Sequence, residues 1–207
     1  MRTDGAPPVG HLTVVLCGSA SLISLLPVLG SLRAGIAGRL SAVASPAALR
    51  WLPGRAIEAV LGAPVYTDPW DLLDHQPAHT ALGEVSDVIL VAPATADTLA
   101  ACAQGRASTL AQLLVLNAAC PVGFVPVMNQ RMWTAPAVQR NAAQLRADGH
   151  DVLEPSGRGT ARTLAGREEP GVGPYDIRRF VLGLSARAMD APSTQAAEGA
   201  GDAATAG

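Results

Sequence analysis

The sequence predicts a three-layer α/β fold, a parallel sheet covered by helices on both faces. Three observations predict it. Short, almost wholly apolar runs recur along the chain, at Leu12–Leu16, Val88–Ala92 and Val122–Val127. Segments with apolar residues at helical spacing separate them. The composition can also supply a large core: 49% of the 207 residues are hydrophobic, and the mean hydropathy is +0.25. Strands that are apolar on both sides belong to parallel sheets with both faces covered.

In chain order, residues 1–10 hold two prolines and two glycines and read as a flexible arm. Leu12–Leu16 is a strand, Gly18-Ser19 a turn, and Leu22–Arg33 a helix with Pro27 near its first turn. Gly35 and Gly38 end that helix, and Leu40–Ala44 is the next strand. Ser45-Pro46 reads as a helix start, the hydroxyl capping and proline at the first helical position, with the helix reaching about Leu52. Residues 53–78, with four prolines, read as a long excursion carrying one short helix at Ala56–Leu61. A helix at His79–Val85, the strand Val88–Ala92, helices at Asp97–Gln104 and Leu110–Asn117 and the strand Val122–Val127 follow. Thr134 is expected to cap a helix to Ala147, before a short strand at Asp151–Leu153. Residues 156–174 contain five glycines and two prolines and read as a flexible flap. Tyr175–Leu184 closes a single domain spanning 11–184, and 185–207 reads as a disordered tail.

Charge narrows the function. Only 15% of residues are charged, against about 25% in an average soluble domain, which fits surface buried in an oligomer. The net charge is −2 with no basic stripe, so nucleic-acid binding has no support. The apolar stretch Leu12–Leu32 is broken by Gly18, Ser19, Ser21, Ser24, Pro27 and Gly30, so it reads as strand, turn and helix rather than a membrane span. A cytoplasmic location is expected. The three cysteines, Cys17, Cys102 and Cys120, do not form a disulfide framework, and no CxxC or HExxH spacing points to zinc.

In open α/β sheets ligands bind beyond the carboxyl ends of strands, and three such segments stand out. Cys17-Gly18-Ser19-Ala20-Ser21 offers backbone N–H groups and hydroxyls to an anion, with Ser45-Pro46 supplying a second helix start nearby. It lacks the G-x-G-x-x-G pattern of dinucleotide sites. Pro93-Ala94-Thr95-Ala96-Asp97-Thr98 follows a dry strand with small and polar residues that let a flat ligand approach; Asp97 could equally be a helix cap. Pro126–Trp133 puts Asn129 at the end of an apolar strand, where an amide offers both donor and acceptor. Met128, Met132 and Trp133 would form an adaptable apolar wall there. His79, at the start of a helix, is a candidate general base near neutral pH.

Together these motifs resemble those of the homo-oligomeric flavin-containing cysteine decarboxylases, which include phosphopantothenoylcysteine decarboxylases and enzymes acting on peptides with C-terminal cysteine. His79-Thr80-Ala81-Leu82-Gly83-Glu84-Val85-Ser86-Asp87 resembles H-I-x-L-x-x-x-A-D, with Thr80 and Ser86 departing. Pro93–Thr98 resembles P-A-S-A-N-T. Pro126, Met128, Asn129 and Met132 match P-x-M-N-x-x-M in full. The resemblance implies a Rossmann-like flavoprotein fold that binds FMN. It implies that His79 is the base, that Asn129 binds the substrate carboxylate with Met128 and Met132 beside it, and that Gly18, Ser19, Ser21, Ser45, Pro93, Ala94, Thr95, Asp97 and Thr98 belong to the cofactor site. Homotrimers or dodecamers are implied as well. The reaction implied is oxidation of the Cβ–S unit, which creates the electron sink that lets the α-carboxylate leave as CO₂.

Two departures bear on substrate. Phosphopantothenoylcysteine decarboxylases carry a flap cysteine that reduces the enethiol, whereas no cysteine follows Cys120 here. Gly105–Leu110 lacks the acidic or amide residue of the family's G-x-x-D/N-x-L segment. The expected reaction is therefore oxidative decarboxylation of the C-terminal cysteine of a ribosomally made precursor peptide, giving an aminoenethiol. The alternatives are decarboxylation of phosphopantothenoylcysteine or another small thiol, and a non-catalytic flavin-binding or regulatory subunit.

Overall fold

The computed structural model describes residues 6–155, 159–162, 168–171 and 173–190. The expected residues 1–5 of the arm, parts of the flap and 191–207 of the tail lie outside them.

The strands are β1 (Val9–Leu16), β2 (Ala37–Ala44), β3 (Val65–Tyr66), β4 (Leu72–Leu73), β5 (Gln76–Pro77), β6 (Val88–Ala94), β7 (Val122–Pro126), β8 (Asp151–Val152), β9 (Gly159–Arg162) and β10 (Glu168–Gly171). The helices are α1 (Leu22–Ser31), α2 (Pro46–Leu49), α3 (Gly54–Leu61), α4 (Ala78–Val85), α5 (Ala96–Ala103), α6 (Leu110–Leu116), α7 (Gln130–Trp133), α8 (Pro136–Ala147) and α9 (Pro174–Asp190). The main sheet has the order β3-β2-β1-β6-β7-β8, and every pairing in it is parallel.

Alternation along the strands explains the two cores. Leu12, Val14 and Leu16 of β1 and Val88, Leu90 and Ala92 of β6 face α1, α3 and α9. Val15 of β1 and Ile89 and Val91 of β6 face α4, α5, α6 and α8. Both faces are dry, as the apolar runs required. Two polar residues are buried within β1: Thr13, whose hydroxyl pairs with Ser86 Oγ at 2.7 Å, and His11, whose Nε2 pairs with Ser41 Oγ at 2.9 Å.

Several boundaries differ from expectation. Strand β1 begins at Val9, inside the expected arm, because Val9 N donates to Ile36 O at 2.9 Å and so joins β2's edge. Helix α2 stops at Leu49, ahead of Pro53. The excursion at 53–78 also supplies β3 and a β4–β5 hairpin. Thr134 does not cap the start of α8: it is the C-cap residue of α7, and its hydroxyl donates to Gln130 O at 3.0 Å. Ala135 occupies the cap position of α8 without a side-chain bond. Helix α9 runs to Asp190, past the expected boundary at 184, and Ser185 is buried there, donating to Pro8 O at 2.7 Å. Within the expected flap, β9 and β10 pair antiparallel.

Candidate active site

From β1 the chain moves outward to β2 and β3, then crosses back to β6, β7 and β8 on the other side. The order reverses between β1 and β6, and the crevice outside their carboxyl ends is where doubly wound sheets bind ligands. Contacts knit the segments there. Ser45 N donates to Leu16 O at 2.9 Å, tying the end of β2 to the end of β1. Ser45 Oγ accepts from Ala48 N at 3.2 Å, capping α2 as its sequence required. Gly18 lies so close to α2 that a Cβ on it would stand 2.4 Å from Ala47 Cβ. No side chain fits there, so the small turn residue is what lets α2 start beside β1.

The third segment joins through Cys17. Its thiol is buried, and Thr98 and Thr95 stand beside it, opposing part of the rise that burial gives its pKa. Thr95 caps α5, its hydroxyl accepting from Thr98 N at 3.2 Å, and the two hydroxyls share a 2.9 Å hydrogen bond. Cys17–Gly18, Ser45–Ala47 and Thr95–Thr98 are thus one structural unit. Ser19 Oγ accepts from Ser21 N at 3.2 Å, which shapes the turn, and both serines are half-buried. Pro93 and Ala94 are buried at the carboxyl end of β6, where the Ala92–Pro93 peptide is cis. Asp97 is exposed in the first turn of α5, and the cap is Thr95 instead. A carboxylate there complements the positive end of the helix.

Asn129 follows β7. Val127 N donates to Ala94 O at 3.0 Å, holding this segment against the end of β6. Asn129 is exposed, and its Oδ1 accepts from Met132 N at 2.9 Å, capping α7. With the acceptor engaged, the amide presents its NH₂ donors, the half that suits a carboxylate. Met128 is half-buried and Met132 exposed, but Trp133 is buried in the α5–α8 core rather than forming the expected wall.

His79 stands in the first turn of α4. That helix ends three residues before β6 begins, so it runs back along the sheet, with His79 toward the carboxyl edge. The ring is half-buried, and its Nδ1 is buried without a partner among the described residues. No hydrogen bond joins His79 to Asn129 or to the Gly18–Ser45–Thr95 unit among the described residues. The side chains of the two proposed catalytic residues are therefore held by different elements, His79 by α4 and Asn129 by β7 and α7.

The remaining chemistry is quiet. Burial pushes the Cys17 thiol up to about 11, the Cys102 thiol up to about 12 and the Cys120 thiol up to about 11. All three are protonated at neutral pH and are poor nucleophiles. Among the described residues no group of acids, histidines and cysteines could hold a metal, and no helix is long and apolar enough to cross a membrane. A cavity of about 500 Å³ lies between β8 and α9, lined by Leu153, Arg179, Phe180 and Arg187, and includes none of the residues above.

Sequence reasoning missed Cys17 as the bridge to α5, Ala47 as the reason for Gly18, and Asn117, whose side chain reaches His79 O at 3.3 Å. The first two depend on contacts between strand ends distant in sequence. Asn117 read only as the end of a helix.

Comparison with known proteins agrees with this architecture. The chain resembles the coenzyme A biosynthesis bifunctional protein CoaBC of Mycobacterium bovis, with 44% identity over 118 residues, 57% of this chain. The chain spans 28% of that protein's length. Among solved structures, the FMN-dependent cysteine decarboxylase SpaF superposes with a TM-score of 0.74 at 35% identity, covering 87% of this chain and 97% of SpaF. The FMN-dependent cysteine decarboxylase TvaF from thioviridamide biosynthesis superposes at 0.63 with 34% identity, covering 70% of this chain and 90% of TvaF. The flavoprotein family profile matches residues 5–168, and the chain belongs to the flavoprotein family.

Proposed function

We propose that this chain is an FMN-dependent decarboxylase acting on the carboxylate of a cysteine-bearing substrate. The observation that carries the proposal is the unit formed at the strand-order reversal by Gly18, Ser45, Thr95 and Thr98. Its dry floor of Pro93 and Ala94 and its close-packed turn at Gly18 fit a flat, anionic cofactor. Ser19 and Ser21 are placed to bind a phosphate beside that turn, and the start of α5 adds its positive end. FMN, when bound, supplies the electron acceptor for oxidising the Cβ–S unit.

The chain's own residues supply orientation and proton handling. Asn129, with its oxygen fixed by the α7 cap, donates its NH₂ to the substrate carboxylate and holds it for departure. His79 takes a proton from the substrate. Met132, exposed beside Asn129, gives the thiol-bearing carbon an apolar neighbour, with Met128 behind it.

Two substrate readings each have a specific observation behind them. The 44% identity to CoaBC favours phosphopantothenoylcysteine, and the comparisons lean this way. The peptide reading, C-terminal cysteine of a ribosomal precursor, rests on the lack of any cysteine after Cys120 and on the likeness to TvaF. In support of the latter, no thiol here is poised to reduce an enethiol, since the one cysteine at the carboxyl edge, Cys17, is buried and protonated. A homotrimer or dodecamer fits the low charge fraction.

The test is mass spectrometry of the FMN-loaded protein with phosphopantothenoylcysteine and, separately, with peptides ending in cysteine. Loss of CO₂ alone from the small thiol establishes the first reading. Loss of CO₂ with two hydrogens from a peptide establishes the second. Flavin uptake with turnover of neither substrate refutes the decarboxylase and leaves a flavin-binding subunit.

A further inference from the structure

A base at the start of a helix must be aimed. Histidines in that role are commonly oriented through the second ring nitrogen, bonded to a carbonyl or carboxylate. His79 has no such device among the described residues, where its Nδ1 is buried and unpartnered. Its direction then depends on where the backbone of α4 lies.

That backbone is pinned from outside. Asn117, at the end of α6, donates its Nδ2–H to His79 O at 3.3 Å. The carbonyl also lies on the ordinary helical path toward Gly83, four residues on. Gly83 is buried, and a Cβ there would stand 2.8 Å from Asn117 Nδ2 and 3.0 Å from Asn117 O. The missing side chain at 83 is thus the space that Asn117 occupies. Bond and close approach are independent features, and both join the end of α6 to the turn that carries His79. Asn117's own N–H is already used, donating to Leu113 O at 2.9 Å, so its side chain is free to serve the neighbouring helix.

We propose that Asn117, seated on Gly83, is a positioning residue that aims His79. This rests on the reading of His79 as the base. It goes further in naming a residue outside the three motifs, one that touches neither cofactor nor substrate.

The experiment uses the full-length FMN-loaded protein and two variants. Asn117→Leu keeps the side-chain shape and removes the donor. Asn117 is exposed, so the fold is expected to tolerate it. Gly83→Ala obstructs the seat. For Asn117→Leu, loss of about one hydrogen bond predicts a ~5-fold fall in kcat with KM and flavin content unchanged. The His79 ring signals in the NMR spectrum are expected to move. Gly83→Ala is expected to lower kcat further, with the same His79 displacement. A His79 signal identical to wild type in Asn117→Leu overturns the proposal, as does an unchanged kcat. If the parent protein turns over neither substrate, the decarboxylase reading fails, while the His79 spectrum still decides the clasp.

Discussion

Asn129 is exposed yet occupied: its Oδ1 holds the first turn of α7 through Met132 N. Aspartate caps a helix as well as asparagine does, so Asn129→Asp keeps the cap and replaces the free NH₂ by an oxygen. Repulsion from the substrate carboxylate is then the main change. Losing a hydrogen bond to a charged group is worth about 1.5–3 kcal/mol, so KM is expected to rise by ~10- to 100-fold with little change in melting temperature. Substrate affinity equal to wild type would remove Asn129 from carboxylate recognition. His79→Asn keeps a polar side chain of similar reach but cannot exchange a proton near neutral pH. FMN absorbance is expected to remain and decarboxylation to vanish; undiminished turnover would rule the residue out as the base.

At the scale of elements, the candidate site depends on short helices beginning at strand ends. Gly18 sets the distance between β1 and α2, since a Cβ there would meet Ala47 Cβ at 2.4 Å. Gly18→Ala forces α2 outward. Overpacking of this kind costs about 1–3 kcal/mol, and denaturant titration together with flavin absorbance is expected to show lower stability and weaker FMN retention in the same variant. Retained flavin at wild-type affinity would separate the turn from the cofactor. Thr95 caps α5 and bonds Thr98, which stands beside the buried Cys17 thiol. Thr95→Ala removes a cap worth about 1 kcal/mol and frees the first turn of α5, so stability and flavin affinity are expected to fall together. The cap was legible as a small polar residue before an apolar helix, although Asp97 competed for the role. Thr95 holds it because its residue is extended at φ −84° and ψ 163°, whereas Asp97 lies inside the helix.

Across the whole molecule, a buried imidazole, His11, and a half-buried one, His150, make stability sensitive to acid. Burial and nearby Arg39 hold His11 below its ordinary value of 6.5, against a smaller opposing pull from Asp87. Burial does the same to His150, opposed by Asp148. The unfolded chain takes up protons at the ordinary value while the folded chain resists them. Stability is therefore full above about pH 6.5 and falls as the pH drops from there toward the folded values. His11 has little room to adapt, since its Nε2 is paired with Ser41 Oγ at 2.9 Å and its Nδ1 is buried without a partner among the described residues. Thermal melting is expected to decline between about pH 7 and about pH 5, and a flat profile over that range would show that neither histidine stays neutral in the fold.

Local chemistry determined much of this protein. Apolar runs at Leu12–Leu16, Val88–Ala92 and Val122–Val127 dictated buried parallel strands, because only a covered sheet hides both of their faces. Ser45-Pro46 dictated a helix start, because hydroxyl and ring act within one turn. The motifs around His79, Pro93 and Asn129 marked the site's components. Tertiary structure decided what no local pattern encodes. It placed Cys17 beside Thr98, across the reversal of strand order between β1 and β6, and Gly18 against Ala47, where the neighbouring strands β1 and β2 end. It turned Asn129 so that donors rather than its acceptor face outward, a consequence of the α7 cap. It also set Asn117 on Gly83 beside His79, because residues 38 apart in sequence meet only once the sheet brings α4 and α6 together.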